Sequence, residues 1–341
     1  MEKGQTGNTY LACSFYSRNH VREDKMEHVA WFDVIPDEEL ALSAGGKGAS
    51  LCRMFRAGLN VPEGFIVKAE TFSDFLISNN LRSKIIAMIN EINIDNTSEL
   101  IEKSEIIRNL ITETDMPEDI ASELKEYYSE FNNGPVAVRS SGTAEDLDDA
   151  SFAGQQETFL FVIGEEDLIK YVKECWASLF NDRAIFYRKE KGFSEEDVSI
   201  AVVVQKMVNA DKAGVMFTVN PVTKDQDEIM LEAAWGLGEA VVSGMVTPDN
   251  LWINKKTGEV TTEYISEKET MVIRASEKGG SKEVDVPEEL REAPVLSREE
   301  QLALVDVANK IEAFYGKPED VEWAFENGKL YMLQSRPITT L

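Results

Sequence analysis

VAVRSSGTAEDLDDASFAGQQETF, residues 136–159, reads as an apolar strand that delivers Arg139 into a run of serine, glycine, threonine and alanine. The chain changes character here. Asn133-Gly134-Pro135, just before it, is a turn signal. Upstream, over 70–131, apolar residues recur at helical spacing, as in Phe72, Phe75 and Leu76 or Ile120, Leu124 and Tyr127. Downstream, strand-like runs at 136–138, 158–162, 200–204, 214–219 and 228–232 surround one strong helical stretch, 166–189. Helices first and a β-rich region after them predict an α+β protein.

Further out, residues 1–30 are polar and aperiodic and read as a loose N-terminal arm, with order starting near Trp31. SAGGKG at 43–48 reads as a loop, followed by a helix over 49–57 that stops at Gly58, and then by a strand, GFIV. The acidic stretch 275–297 reads as surface loop. A helix over 297–315 follows, with Ser297 and Glu300 in capping-box positions. The chain closes with strands VEWAFE and KLYMLQS around Asn327-Gly328, a hairpin signal.

Composition excludes several classes. Among 341 residues, 35 Lys and Arg face 62 Asp and Glu, a net charge of −27. Such a surface repels nucleic acid and anionic membranes, yet permits a small anion in a local basic pocket. No apolar run approaches the roughly 20 residues of a membrane helix. The three cysteines, Cys13, Cys52 and Cys175, form no CxxC pair, which predicts a reducing, cytoplasmic setting without disulfides or a thiolate zinc site. Two histidines, His20 and His28, leave little room for histidine chemistry.

GGKG at 45–48 is not a P-loop, because Ala41 and Gly48 stand where Gly and Ser or Thr are required. It reads either as a glycine turn with a solvated lysine or as backbone N–H groups and an ammonium offered to an anion. GLGEAVVSG at 236–244 breaks the dinucleotide fingerprint at Val241 and reads as a turn. Arg139 and its small neighbours read equally as a phosphate site or as a polar loop whose arginine pairs with Glu145, Asp146, Asp148 or Asp149. Glu322, Gln334 and Arg336 on the last hairpin are either solvent-facing or, for the first two, hard oxygen ligands of the kind magnesium takes.

Taken in order, GGKGASL, VAVRSSGTAEDL with SFAGQQ, VVVQKMV, AGVMFTVNP, EAAWGLGEAVVSG and VEWAF with GKLYMLQSRP resemble the N-terminal nucleotide-binding domain of the phosphoenolpyruvate synthase and pyruvate phosphate dikinase family. Rifampicin phosphotransferase and glucan water dikinases share that domain. The resemblance covers about residues 40–340 and implies an ATP-grasp fold, two lobes closing on MgATP, with a helical subdomain near the N-terminus. It divides the chain into the arm, 1–30; an N-terminal lobe with the helical subdomain, 31–134; and a β-rich nucleotide-binding lobe, 135–341. It implies that Lys47, Arg139 and Arg336 contact phosphates, that the backbone of Gln205, Lys206, Met207 and Val208 holds adenine, and that Glu322 and Gln334 associate with Mg²⁺. Family members continue into a swivelling domain with a phosphate-accepting histidine and a barrel for pyruvate or phosphoenolpyruvate. This sequence carries neither, so the resemblance implies an ATP half-site working with a phosphohistidine domain in trans. An ATP-sensing module and a carboxylate-activating ligase are the rival readings.

The hairpin register tests the metal pair. A regular two-residue turn puts Glu322 and Gln334 on opposite sheet faces, where they cannot share a cation. A three-residue loop, Glu326-Asn327-Gly328, or an equivalent one-residue bulge elsewhere puts Asp320, Glu322, Gln334 and Arg336 on one face. The three-residue form gives Val321, Trp323 and Phe325 an apolar face shared with Tyr331 and Leu333, and this form, or an equivalent one-residue bulge elsewhere in the hairpin, is the expected register.

Overall fold

The computed structural model describes residues 28–143, 157–193 and 199–339. The expected arm, apart from its last three residues, therefore lies outside the described residues, as do the SFAGQQ motif and the acids at 145–149. The first described element is strand β1 (Val29–Trp31). After it come α1 (Leu40–Arg56), β2 (Gly64–Val67) and four helices, α2 (Ala69–Ser78), α3 (Arg82–Glu91), α4 (Thr97–Glu113) and α5 (Glu118–Ser129). Strands β3 (Val136–Gly142) and β4 (Thr158–Val162) follow. The single helix expected over 166–189 is two, α6 (Glu165–Ala177) and α7 (Asp182–Lys191), parted by a 3-10 turn. Asn181 makes the break by accepting a hydrogen bond from the Ala184 N–H, as an N-cap does.

Strand β5 (Ile200–Lys206) completes an antiparallel sheet ordered β1-β2-β5-β3-β4. Its uninterrupted apolar run reflects burial on both sides. Ile200, Val202 and Val204 face the core built with α2 to α6, while Ala201 and Val203 face α1. This sheet takes strands from both sides of residue 134. The turn at Asn133-Gly134-Pro135 thus separates helices from strands inside one lobe and is not a border between lobes.

The second sheet forms from β6 (Lys212–Phe217), β7 (Glu228–Trp235), β8 (Asp249–Asn254), β9 (Val260–Tyr264) and the closing pair β12 (Glu319–Glu326) and β13 (Lys329–Pro337), in the order β13-β12-β6-β7-β8-β9. Between them lie α8 (Glu239–Val242), a two-stranded ribbon of β10 (Thr270–Arg274) and β11 (Ser281–Asp285), α9 (Glu288–Arg291) and α10 (Arg298–Tyr315). The stretch read as surface loop therefore holds β11 and α9. Ser297 and Glu300 form the expected capping box of α10. One core joins α1 and α10 to both sheets, with Leu51 and Met54 of α1 packed among Val203 of the first sheet and Met216, Val321 and Trp323 of the second. Helix α1 is the wedge between the sheets. Among the described residues no helix is long and apolar enough to cross a membrane.

The closing hairpin takes the second of the two expected forms, a one-residue bulge away from the turn and not a three-residue loop. Asn327 and Gly328 both have positive φ, 51° and 76°, and Glu326 pairs with Lys329, so the turn has two residues and the twist that hairpins favour. Trp323 pairs with Met332, but Glu322 pairs with Gln334. Leu333 is an extra residue, a bulge, and it restores the shared face that the loop was expected to provide. The apolar partners change accordingly: Val321, Trp323 and Phe325 share the core with Met332 and Leu330, while Tyr331 and Leu333 pack on the other side against Val208, Ala213 and Ala324.

Candidate functional site

The site is built where β3, the wedge helix and the bulged hairpin meet. Arg139 leaves β3 on the side opposite Val138, crosses to the second sheet and ends in a three-way fork. Its Nη1 donates to the Leu333 carbonyl at 2.8 Å, and its Nη2 to Gln334 Oε1 at 2.9 Å and to Glu322 Oε2 at 3.2 Å. The bulge matters twice, since it aligns Glu322 with Gln334 and supplies the carbonyl that holds the arginine. The paired acids anticipated at 145–149 lie outside the described residues; among those described, Arg139 pairs with Glu322.

Lys47 approaches the same strand from α1, its Nζ donating to the Ser140 carbonyl at 3.0 Å. The GGKG segment is not the loop expected. The chain is helical on both sides of Gly45, which alone breaks the helix with φ 68° and ψ 176°. A Cβ on Gly45 would stand 2.4 Å from the Ser141 carbonyl oxygen, so only glycine lets the helix and β3 approach this closely. One turn beyond Lys47, Ser50 Oγ donates to the Ser335 carbonyl at 2.7 Å and meets the Tyr315 hydroxyl at 3.2 Å. Lys47 and Ser50 therefore tie one face of α1 to both sheets.

Arg336 lies one pair further along the hairpin. Its Nε and Nη2 both sit 2.7 Å from Asp320 Oδ2, with the arginine side chain 61% exposed. The three cations thus differ in setting: Arg336 reaches into water, whereas Lys47 and Arg139 are buried at 8% exposure. Lys47 and Arg139 are part of the packed junction, so the reading of Lys47 as the solvated lysine of a glycine turn does not hold.

Pairing across the strands sets Gln334, Glu322, Val215, Glu232 and Asn250 in one row on the sheet face away from the core. Arg336, Asp320 and Phe217 form the next row. Burial raises the Asp320 carboxyl above its ordinary value; Arg336 opposes that shift and Glu322 adds to it. Burial likewise raises Glu232, helped by the charge on Asp320. Three carboxylates crowd this face. Glu232 was not legible in the sequence, although Glu228 and Glu232, four apart on one side of an otherwise apolar strand, were the available signal.

Residues 205–208 span the end of β5 and the start of the connection that follows it. Gln205 and Lys206 end β5, and the connection to β6 starts at Met207. Gln205 is buried with its amide donating to the Pro62 carbonyl at 3.0 Å, and Lys206 pairs with Glu63 at 2.6 Å. The Met207 N–H donates to the Pro135 carbonyl. Val208 packs on Leu333 and Tyr331, which brings this segment to the back of the hairpin. The 236–244 segment is a turn and short helix, as read.

Among the described residues no group of three or more His, Cys, Asp or Glu converges as a metal centre. A cation here would depend on Glu322 and Gln334 together with oxygens brought by a ligand.

The family described as the pyruvate phosphate dikinase AMP/ATP-binding domain matches residues 41–341. A probable phosphoenolpyruvate synthase of Methanocaldococcus jannaschii is 49% identical over 94% of this chain and 27% of its own length. The phosphoenolpyruvate synthase of Pyrococcus furiosus is 44% identical over 92% of the chain and 44% of its own. A rifampicin phosphotransferase of Bacillus cereus is 38% identical over 91% and 36%. The chain spans less than half the length of these relatives. It belongs to the pyruvate phosphate dikinase AMP/ATP-binding domain family.

Proposed function

We propose that this member of the family is the MgATP-binding, phosphoryl-donating half of a phosphoenolpyruvate synthase (pyruvate, water dikinase)-type phosphotransferase, passing phosphate from ATP to a histidine on a separate domain or subunit. The observation that carries the reading is the convergence of Glu322 Oε2 and Gln334 Oε1 on one guanidinium nitrogen of Arg139. Two oxygens that meet at one cation fit a second kind of cation. Both are hard donors, and Mg²⁺ takes one or two such groups and completes its shell with phosphate oxygens and water. When bound, Mg²⁺ neutralises triphosphate charge.

The chain's own part is binding and positioning, which is most of what phosphoryl transfer asks of a protein. Lys47, on the helix that wedges the two sheets, and Arg139, on the strand facing it, hold phosphate oxygens from the first lobe. Arg336 meets them from the hairpin. Charged donors aimed at a phosphoryl group stabilise the charge that spreads over it as it transfers. Residues 205–208, at the junction of the two sheets, hold adenine through their backbone. An acidic molecule with Lys47, Arg139 and Arg336 on adjoining elements suits a small anion and not a nucleic acid. A cytoplasmic setting accords with the absence of any cysteine pair in sequence.

The test is transfer in trans. With labelled ATP and Mg²⁺, the chain alone should bind nucleotide and transfer little, and adding a family phosphohistidine domain should yield a labelled histidine. Transfer to a small hydroxyl compound by the chain alone would overturn the reading. A rifampicin phosphotransferase-type system is the second reading, supported by the 38% identical relative. It uses the same half-site and differs in the final acceptor. An ATP sensor is disfavoured because a sensor needs no group beyond those that bind nucleotide.

A further inference from the structure

We infer that Ser141 is a positioning residue for Lys47: from a different element, it caps the helix that Gly45 reopens. The inference rests on the proposed phosphate role of Lys47. After the break at Gly45, α1 restarts, and the first N–H groups of its new first turn lack partners within the helix. An ordinary helix would meet this need with a serine, threonine, aspartate or asparagine at the break. Glycine stands there because a Cβ would collide with β3, so the capping oxygen has to come from elsewhere.

Ser141 supplies it. Its Oγ accepts from the Gly48 N–H at 3.0 Å and donates to the Ala44 carbonyl at 2.7 Å, joining the helical turns on either side of the break. The side chain is fully buried, so no water can replace it without a cavity. Lys47 lies between the two tied residues, and its ammonium is held by the carbonyl of the preceding residue, Ser140. Three consecutive residues of β3 thus fix three separate things. Arg139 reaches the hairpin, Ser140 meets the Lys47 ammonium while its hydroxyl joins Glu157 beside β4, and Ser141 fixes the backbone that carries Lys47. Removing the hydroxyl leaves every phosphate-contacting side chain in place and loosens only the turn that aims one of them.

The experiment measures ATP and adenosine affinity by calorimetry with Mg²⁺ for the wild type, Ser141→Ala, Ser141→Thr, Lys47→Ala and the Lys47→Ala, Ser141→Ala double variant. Loss of a cap corresponds to about a tenfold weakening of ATP binding in Ser141→Ala. Adenosine affinity should stay within about twofold, and Ser141→Thr, which keeps the hydroxyl, should retain most ATP affinity. In the Lys47→Ala background the same substitution should add less than about twofold, because the two act through one contact. Should Ser141→Ala fail to fold, Gly45→Ala attacks the same clasp from the helix side and should give the same selective loss for ATP. If wild-type ATP affinity does not depend on Lys47, the proposed phosphate site fails. If it does, and Ser141→Ala or Gly45→Ala binds ATP like wild type or loses adenosine equally, the positioning role alone is overturned.

Discussion

Glu322 stands directly across the closing hairpin from Gln334, and it does so because Leu333 has no partner on β12. A strict ladder from the two-residue turn would place these side chains on opposite faces of the sheet. The bulge reverses the parity after Met332, leaving Trp323 in the core and turning Gln334 toward Arg139. One extra residue therefore keeps both an apolar core face and a polar face with Gln334 on the same short strand.

Deleting Leu333 should turn the hairpin into a regular ladder in which Gln334 follows Met332 and still faces Glu322, while removing the carbonyl that accepts from Arg139. Mg²⁺-supported ATP binding should fall by at least about tenfold, as expected from losing one or more charged hydrogen bonds. Calorimetric titration checks this, and unchanged affinity in a folded deletion variant would speak against the Leu333 carbonyl as the group that holds Arg139 in place for binding.

Arg139 and Arg336 should separate stability from binding. Arg139 is buried and leaves the Leu333 carbonyl, Glu322 and Gln334 unpaired when removed, so Arg139→Ala should cost about 1.5–3 kcal/mol of folding stability. Arg336→Ala removes a largely exposed side chain and should change stability by only about 0.5 kcal/mol. Both should weaken ATP binding. Urea unfolding alongside nucleotide titration distinguishes them, and equal stability losses would contradict the junction role of Arg139.

The crowded carboxylates should make the protein less stable as pH rises. Asp320 and Glu232 titrate above their ordinary values of 3.8 and 4.5, so the folded state holds their protons more tightly than the unfolded chain. Their contribution to stability is full below those ordinary values and is lost as pH climbs through the raised folded ones. Glu232→Gln should therefore flatten the decline relative to wild type in urea unfolding followed from pH 4 to 8. A steeper decline in the variant would reverse the sign argued here.

The net charge of −27 should slow the approach of ATP from a distance, and added salt should relieve that by screening. Within the site, salt weakens the contacts of Lys47, Arg139 and Arg336. Stopped-flow measurements should then find association and dissociation both faster at higher salt. Association that slows steeply with salt would mean that the local cations dominate the field.

The sequence by itself determined the α+β class, the ends of α10 and the burial of β5, because capping residues and an unbroken apolar run are local signals that short windows contain. It also determined which residues to watch, since Lys47, Arg139, Glu322, Gln334 and Arg336 stand in motifs whose order is specific. Tertiary structure alone decided what these residues touch. The hairpin register could be narrowed to a parity but not to Leu333, because a bulge is chosen by the core that Trp323 and Met332 fill together. The boundary at residue 134 was misleading for a similar reason: β2 and β5 pair residues 135 or more positions apart, and local composition carries no trace of that distance. Glu232 and Ser141 stayed hidden because their roles arise from neighbours on other elements, a strand pair away for Glu232 and on helix α1 for Ser141. The Asp320–Glu232 interaction exists only once β6 lies between β12 and β7, and the clasp on Gly45 only once α1 packs on β3.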